Sequence, residues 1–240
     1  MLTPARIYEE ELLDAGEGTD EDVRKNLLDL RRINRLLGGT RVVIDALGQS
    51  IHKQSVNGGN VERLSLLDVG TGSADIPAEV CRWCRARAIE PFVAALDLSE
   101  RNLRIARKDL SAGAELSFVR GDALSLPFAA RSFDYVTASL FLHHFRDEDV
   151  ARLLADFARV ARRAVIVNDL VRNLVPYYFS RVTGPFLATS FLTRNDGPVS
   201  VLRGFTATEL EVLAERAGFV SFRVKRMFPY RLSLVADVSR

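Results

Sequence analysis

Long blocks of one charge sign, long apolar runs and a cysteine framework are all missing from this chain, and each absence removes a class of function. No stretch of five or six like charges occurs, and 33 Lys+Arg against 31 Asp+Glu leave a formal net charge of +2. The basic footprint of a nucleic-acid binder is therefore not expected. No run approaches the roughly 18 apolar residues of a membrane span, and the N-terminal MLTPARIYEEELLDAGEG has no apolar core of signal-peptide length. A cytoplasmic protein without a membrane span is expected. The two cysteines, Cys81 and Cys84 in CRWC, fall inside a helical pattern in register with Ile76, Pro77, Val80 and Ala88. That register predicts buried, reduced thiols instead of a redox pair at a helix start. A zinc site on them would need two more ligands, and the histidines are His52, His143 and His144. No metal is expected.

At 240 residues and 48% hydrophobic, the chain can build one substantial core and is short for two. Its organising stretch is LSLLDVGTGSADIP, Leu64 to Pro77. An apolar run of strand length stops at a glycine turn, and a helical pattern with Pro77 in its first turn follows. Gly70 and Gly72 carry no Cβ, so backbone N–H groups at the helix start can approach a small polar ligand. Asp68 at the strand end would repel a phosphate and suits an ammonium or a sulfonium.

From residue 61 to 240 strands alternate with helices at the spacing of an α/β domain with a mostly parallel sheet. Strands are expected at Leu64–Val69, Phe92–Asp97, Leu116–Val119, Phe133–Ala138 and Ala164–Asp169. Ser99 caps a helix carrying Leu103, Ala106 and Leu110, and Val150, Leu153, Leu154, Phe157 and Val160 mark another. After a Thr206/Glu209 capping box and a Gly218 stop, runs at Phe219–Met227 and Arg231–Val238 are too close for a crossover helix, so they form an antiparallel hairpin. Residues 1–60 read as a separate helical annex. Thr19 caps a helix with Val23, Leu27, Leu30, Ile33 and Leu37 that Gly38 and Gly39 end, and a second segment with Val43, Leu47 and Ile51 runs to Gly58 and Gly59. Arg31, Arg32 and Arg35 form a row that either faces solvent or reaches an anionic group of a ligand.

In such a sheet ligands bind at the C-terminal strand ends, and these ends are acidic. Asp97 closes the second strand about 25 residues beyond Gly72, where a carboxylate accepts both ribose hydroxyls. Gly121 and Asp122 follow the third, where a carboxylate or its backbone can meet an adenine edge. A nicotinamide fingerprint would require glycine at position 75, which is Asp75, and would leave Asp68 and Asp122 without a role.

The set LLDVGTGSAD, ALDLS, RGDALSLPF, SFDYVTAS and LFLHHF resembles the class I S-adenosylmethionine-dependent methyltransferases, in particular the small-molecule branch of ubiquinone and menaquinone type enzymes, over about residues 64 to 170. The resemblance implies a Rossmann-like seven-stranded sheet with an antiparallel strand inserted last, and S-adenosyl-L-methionine as cofactor with S-adenosyl-L-homocysteine as product. It also implies residue roles. Asp68, Gly70, Thr71 and Gly72 would surround the methionine part, with Ser139 nearby; Asp97 would hold the ribose, Leu98 would pack on the adenine, and Asp122 with Ala123 would read its edge. Ala74 departs from the pattern, since many members have glycine there.

Methyl transfer needs an aligned nucleophile, an exit for its proton and exclusion of water. His143 and His144 stand beyond the fourth strand, and Asp169 closes the fifth, so His143 backed by Asp169 is a candidate base for a phenol of pKa about 10. Two alternatives stay open: the histidines only shape the loop, or Asn168 and Asp169 hold a magnesium as in catechol O-methyltransferases, which also need a carboxylate where this chain has Ala138, Ser139 and Leu140. Amino-group methylation of adenine or glutamine would call for N/D-P-P-Y/F where SLFLHHF stands. The insertion 170–203 carries Val175, Tyr177, Tyr178, Phe179, Phe186, Leu187, Phe191 and Leu192, which make either an apolar lid or a contact of a homodimer. Arg194 to Pro198 reads as a turn. The expected activity is methyl transfer to a hydroxyl of a small apolar acceptor that is aromatic, polyketide-like or a quinol. The alternatives are N- or C-methylation of a small molecule and a cofactor-binding regulator without catalysis.

Overall fold

The computed structural model describes residues 3–56, 61–110 and 116–238. The expected stops Gly58 and Gly59 lie outside them. In chain order the elements are α1 (Asp20–Leu36), α2 (Gly39–Val56), β1 (Arg63–Val69), α3 (Asp75–Arg85), β2 (Glu90–Asp97), α4 (Glu100–Asp109), β3 (Leu116–Arg120), β4 (Phe133–Ser139), α5 (Asp147–Val160), β5 (Ala161–Leu170), α6 (Leu174–Leu187), α7 (Phe191–Arg203), α8 (Ala207–Arg216), β6 (Ser221–Met227) and β7 (Arg231–Asp237). The seven strands form one sheet in the order β3-β2-β1-β4-β5-β7-β6. β1 to β5 pair in parallel, and β7 enters antiparallel between β5 and β6. Strand order turns outward in both directions from β1 and β4, so the crevice at their C-terminal ends is the switch point of the sheet.

Alternation along the strands divides the core. Leu67, Val69, Val136, Ala138, Val165 and Val167 pack under α5 and α8 on one face. Leu64, Leu66, Tyr135, Ala164 and Ile166 pack on the other with Val43, Ala46 and Leu47 of α2 and Val80, Cys81 and Cys84 of α3. Both cysteines are buried and outside any disulfide, and burial pushes the Cys84 thiol up to about 12, so Cys84 is no nucleophile at neutral pH. α2 belongs to the helical layer on the sheet, whereas α1 crosses above the strand ends, with Leu27 beside Gly72.

Three local expectations are corrected by tertiary contacts. Gly39 does not end a helix; it opens α2, because a Cβ there would press on Asn34 and Asn168 and only glycine lets the chain restart at once. Arg194 to Pro198 is no turn but part of α7. Gly197 and Pro198 disfavour a helix, yet the segment is held from outside, because the Asp196 carboxylate accepts the N–H groups of Leu12 and Leu13 while Pro198 and Val201 are buried. Likewise the hairpin starts at Ser221, not Phe219, whose ring sits in the core under α8.

Residues 3–18 have no regular secondary structure and run as a strap over α7 and the loop after β4. Arg6 reaches Asp147 and Arg203 O, Arg172 Nε donates to Pro4 O at 2.9 Å, and Arg203 Nη1 donates to Glu9 O at 2.8 Å. Nothing in the local pattern of these residues announces those contacts.

Candidate active site

The glycine turn is fastened to β2. Thr71 N–H donates to Leu96 O at 3.0 Å and Gly72 N–H to Asp97 Oδ2 at 2.8 Å, so two of the N–H groups expected to face a ligand hold the turn in place. Gly70 has φ +68, and a Cβ on it would overlap the Phe141 ring, so both conformation and space demand glycine. Ala74, where the resemblance led to an expectation of glycine, is buried with φ 51 and ψ 27, a left-handed conformation that disfavours an L side chain by about 1 kcal/mol.

Asp68 lies at the floor of the crevice, fully enclosed, and accepts a hydrogen bond from Thr137 Oγ1 at 2.6 Å. Burial pushes its carboxyl up to about 7 against the pull of that hydrogen bond, with Asp75 and Asp97 adding to the rise. Asp97 is raised by burial too, partly offset by the N–H groups of Ser99 and Gly72. Its second lone pairs remain free to accept hydroxyls. Leu98 is exposed beside it, and Ala123 is buried. Asp122 Oδ1 takes Leu124 N–H at 2.9 Å, capping a 3-10 turn. On β4, Ser139 Oγ is a buried hydroxyl with no hydrogen-bond partner. Of the arginine row, Arg31 alone turns inward, its Nη2 donating to Ser73 O at 3.2 Å while its buried Nε has no partner; Arg32 pairs with Asp29 and Arg35 is exposed.

The double histidine sits in a second, more tightly closed group. His143 Nδ1 is 2.7 Å from Asp169 Oδ1, as the sequence suggests, but its Nε2 faces Glu11 Oε1 at 3.5 Å. Burial pulls the imidazole down, yet the Asp169 charge and hydrogen bond, with Glu11 behind them, outweigh it and lift it to about 9. Glu11, pushed up by burial, is brought down to about 2 by the two histidines and Ser200. Asp169 is lowered by His143 and by Leu170 N–H in spite of its burial. His143, the candidate base, shows 2% of its surface and stands between two carboxylates. His144 Nδ1 is 2.6 Å from Asp14 Oδ2. Glu11, Asp14 and Arg203 escaped the sequence reading because only the strap's path brings them here.

A parallel sheet switching direction at β1 and β4, an inserted antiparallel β7, and acids at the ends of β1 and β2 and after β3 define the Rossmann-like fold of class I methyltransferases. Residues 66–164 match the family model of a methyltransferase domain. A demethylmenaquinone methyltransferase of Thermotoga maritima is 30% identical over 176 residues, 65% of this chain and 71% of that protein. Another, of Chlorobaculum tepidum, is 31% identical over 139 residues, and this chain spans about half of its length, 53%. Human N-acetylserotonin methyltransferase in complex with S-adenosylmethionine shares the fold with a TM-score of 0.67 at 16% identity, covering 98% of this chain and 63% of that one. Magnesium protoporphyrin IX methyltransferase of Synechocystis, with bound S-adenosylhomocysteine, gives 0.56 at 19% identity, over 88% of this chain and 93% of that one. The chain belongs to the small-molecule branch of the class I S-adenosylmethionine-dependent methyltransferases, and S-adenosylmethionine is its methyl donor. Among the described residues no helix is long and apolar enough to cross a membrane.

Proposed function

We propose that this chain methylates a hydroxyl oxygen on a small, largely apolar, aromatic or quinol-like acceptor, and that Asp68, Gly70, Thr71, Gly72, Asp97, Leu98, Asp122, Ala123 and Ser139 line its cofactor site. The observation that carries this reading is the pair of buried carboxyls, Asp68 and Asp97, on either side of a turn in which only glycine fits. In this reading Asp68 faces the cationic end of the cofactor, Asp97 takes the ribose hydroxyls, and Leu98, Asp122 and Ala123 frame the adenine. The unpartnered Arg31 Nε and Ser139 Oγ are donors suited to the methionine end.

The cofactor supplies an electrophilic methyl on a sulfonium, which leaves as the neutral thioether S-adenosylhomocysteine. The protein's part is to align the acceptor and exclude water. In this reading the acceptor's proton leaves to solvent and the oxygen attacks as a phenolate, while His143 and His144, held by Asp169, Glu11 and Asp14, shape the loop after β4. Support for an apolar acceptor comes from the insertion, which leaves the sheet at the C-terminal end of β5, the same edge as the cofactor acids. α6 buries none of its side chains and exposes Val175, Tyr178, Phe179, Val182 and Phe186. α7 returns to pack on α1 and on the turn that holds His143. The lid role of residues 170–203, and the division at residue 60, belong to this reading. Relatives named for demethylmenaquinone, magnesium protoporphyrin IX and N-acetylserotonin favour a flat apolar acceptor here as well.

The test offers labelled S-adenosylmethionine with a panel of phenols, quinols and amines. Label on a hydroxyl oxygen of an apolar aromatic is expected; label on carbon or nitrogen would refute the oxygen assignment, and binding without transfer would favour a regulator.

Cofactor affinity should depend on pH through Asp68. With its folded value raised to about 7, the native protein holds a proton there that the unfolded chain has released above about pH 4, so this group's contribution to stability falls as pH rises through that window. A cationic ligand prefers the ionised form. The dissociation constant for S-adenosylmethionine should therefore fall about tenfold between pH 6 and 8, and Asp68→Asn should flatten the profile. A wild-type constant unchanged across that range would remove Asp68 from the cationic end.

A further inference from the structure

Glu11, His143 and His144 form a cluster for which methyl transfer has no evident use. One carboxylate oxygen of Glu11 and one ring nitrogen of each histidine lie within 4.8 Å of one another. His143 Nε2 is 3.5 Å from Glu11 Oε1. Donor atoms bonded at about 2.0 to 2.2 Å to one tetrahedral ion stand about 3.3 to 3.6 Å apart, so the cluster needs only a modest contraction. We propose that Glu11, His143 and His144 form a binding site for a divalent transition ion of the zinc type, which fastens the N-terminal strap to the loop after β4.

The surroundings are those of a metal site. Asp169 holds Nδ1 of His143 at 2.7 Å and so points Nε2 at Glu11, the carboxylate–histidine–metal arrangement that orients an imidazole ligand. His144 Nδ1 faces Asp14 Oδ2 at 2.6 Å and Glu11 Oε1 at 4.0 Å, so Asp14 stands beside the ion as a further carboxylate, and Ser200 Oγ donates to Glu11 Oε1 at 2.8 Å. Charge favours the ion as well. Three carboxylates, Glu11, Asp14 and Asp169, meet two fixed cations: Arg203, whose Nη1 is 3.9 Å from Glu11 and 3.8 Å from Asp14, and the buried Arg231, which acts on Asp169. An ion that displaces the imidazole protons meets one net negative charge, three carboxylates against two guanidiniums, and so remains favoured. Arg203 spends its N–H groups on the carbonyls of Glu9, His143 and His144, so the lone pairs of the carboxylates stay available. Two imidazoles with one carboxylate suit a zinc-like ion better than magnesium or calcium, which prefer all-oxygen shells. Glu11 and His143 are closed off, whereas the His144 side chain is 20% exposed and gives the ion its way in.

Chelator-treated full-length protein titrated with Zn2+ in a calorimeter, and with Co2+ under visible absorption, tests the site. One equivalent should bind, cobalt should develop ligand-field bands, and the thermal midpoint should rise by several degrees. Glu11→Gln and His144→Ala should each weaken Zn2+ binding at least tenfold, while His52→Ala, exposed on α2, should bind as wild type. Failure of the wild type to take up either ion saturably overturns the proposal, as does uptake that Glu11→Gln and His144→Ala leave unchanged.

Discussion

Replacing Asp97 by alanine is expected to weaken S-adenosylmethionine binding by about two to four orders of magnitude, since two hydroxyl hydrogen bonds to a charged acceptor are lost at about 1.5 to 3 kcal/mol each. The loss has a second source in the structure. Asp97 Oδ2 accepts Gly72 N–H at 2.8 Å and Oδ1 accepts Ser99 N–H at 2.9 Å, so one carboxylate sets the glycine turn and the start of α4 at once. Without it both N–H groups seek water, and the turn no longer presents a fixed surface. Asp97→Asn keeps the shape and one acceptor and should fall between the two. Calorimetric titration measures all three proteins. A dissociation constant for the alanine variant within threefold of wild type would mean that the ribose lies elsewhere.

Arg203→Ala is expected to lower stability by about 3 kcal/mol, seen as a thermal midpoint about 6 to 12 °C lower. The guanidinium is buried and donates to His143 O at 3.1 Å, Glu9 O at 2.8 Å and His144 O at 2.6 Å, joining the strap, α7 and the loop after β4 at one point. Removing it leaves three carbonyls without a donor and Glu11 and Asp14 without their nearby cation. Lysine should recover less than half of the loss, because one ammonium cannot span three carbonyls held in a planar fork. Arg181→Ala, exposed on α6, should change stability by no more than about 0.5 kcal/mol. An Arg203→Ala midpoint as close to wild type as that control would show that the strap is held by its other contacts.

The strap also explains where the reading of residues succeeded and where it failed. Asp68 and Asp97 are legible because a strand end is a local fact: an apolar run of fixed length stops, and the next residue stands at the C-terminal edge of the sheet. The pairing of Asp68 with Thr137 in the β1–β4 register then follows from the fold. Arg194 to Pro198 misled for the opposite reason. Its residues favour a turn locally, and long-range bonds from Leu12 and Leu13 to Asp196 hold it in a helix. α1 shows the same override, since its buried positions include Asn26, Asp29 and Asn34, while Leu30, Ile33 and Leu37 are only half-buried. Asp29 accepts from Thr189 and Ser190, and Asn34 donates to Asp75, so polar contacts with distant segments, not an apolar stripe alone, decide which way this helix faces.

The sequence by itself determined the α/β architecture, the acids at the strand ends and the nature of the methyl donor, because each rests on residues close together in the chain. Only the tertiary structure decided what the double histidine is. His144 and Asp14 are 130 positions apart, and no periodicity or spacing connects them. Folding brings Glu11 to the free side of His143 once the strap crosses α7, where it adds to the stronger pull of Asp169 in favouring a proton on the imidazole. A ring's chemistry follows the charges around it, and those charges are set by packing at long range.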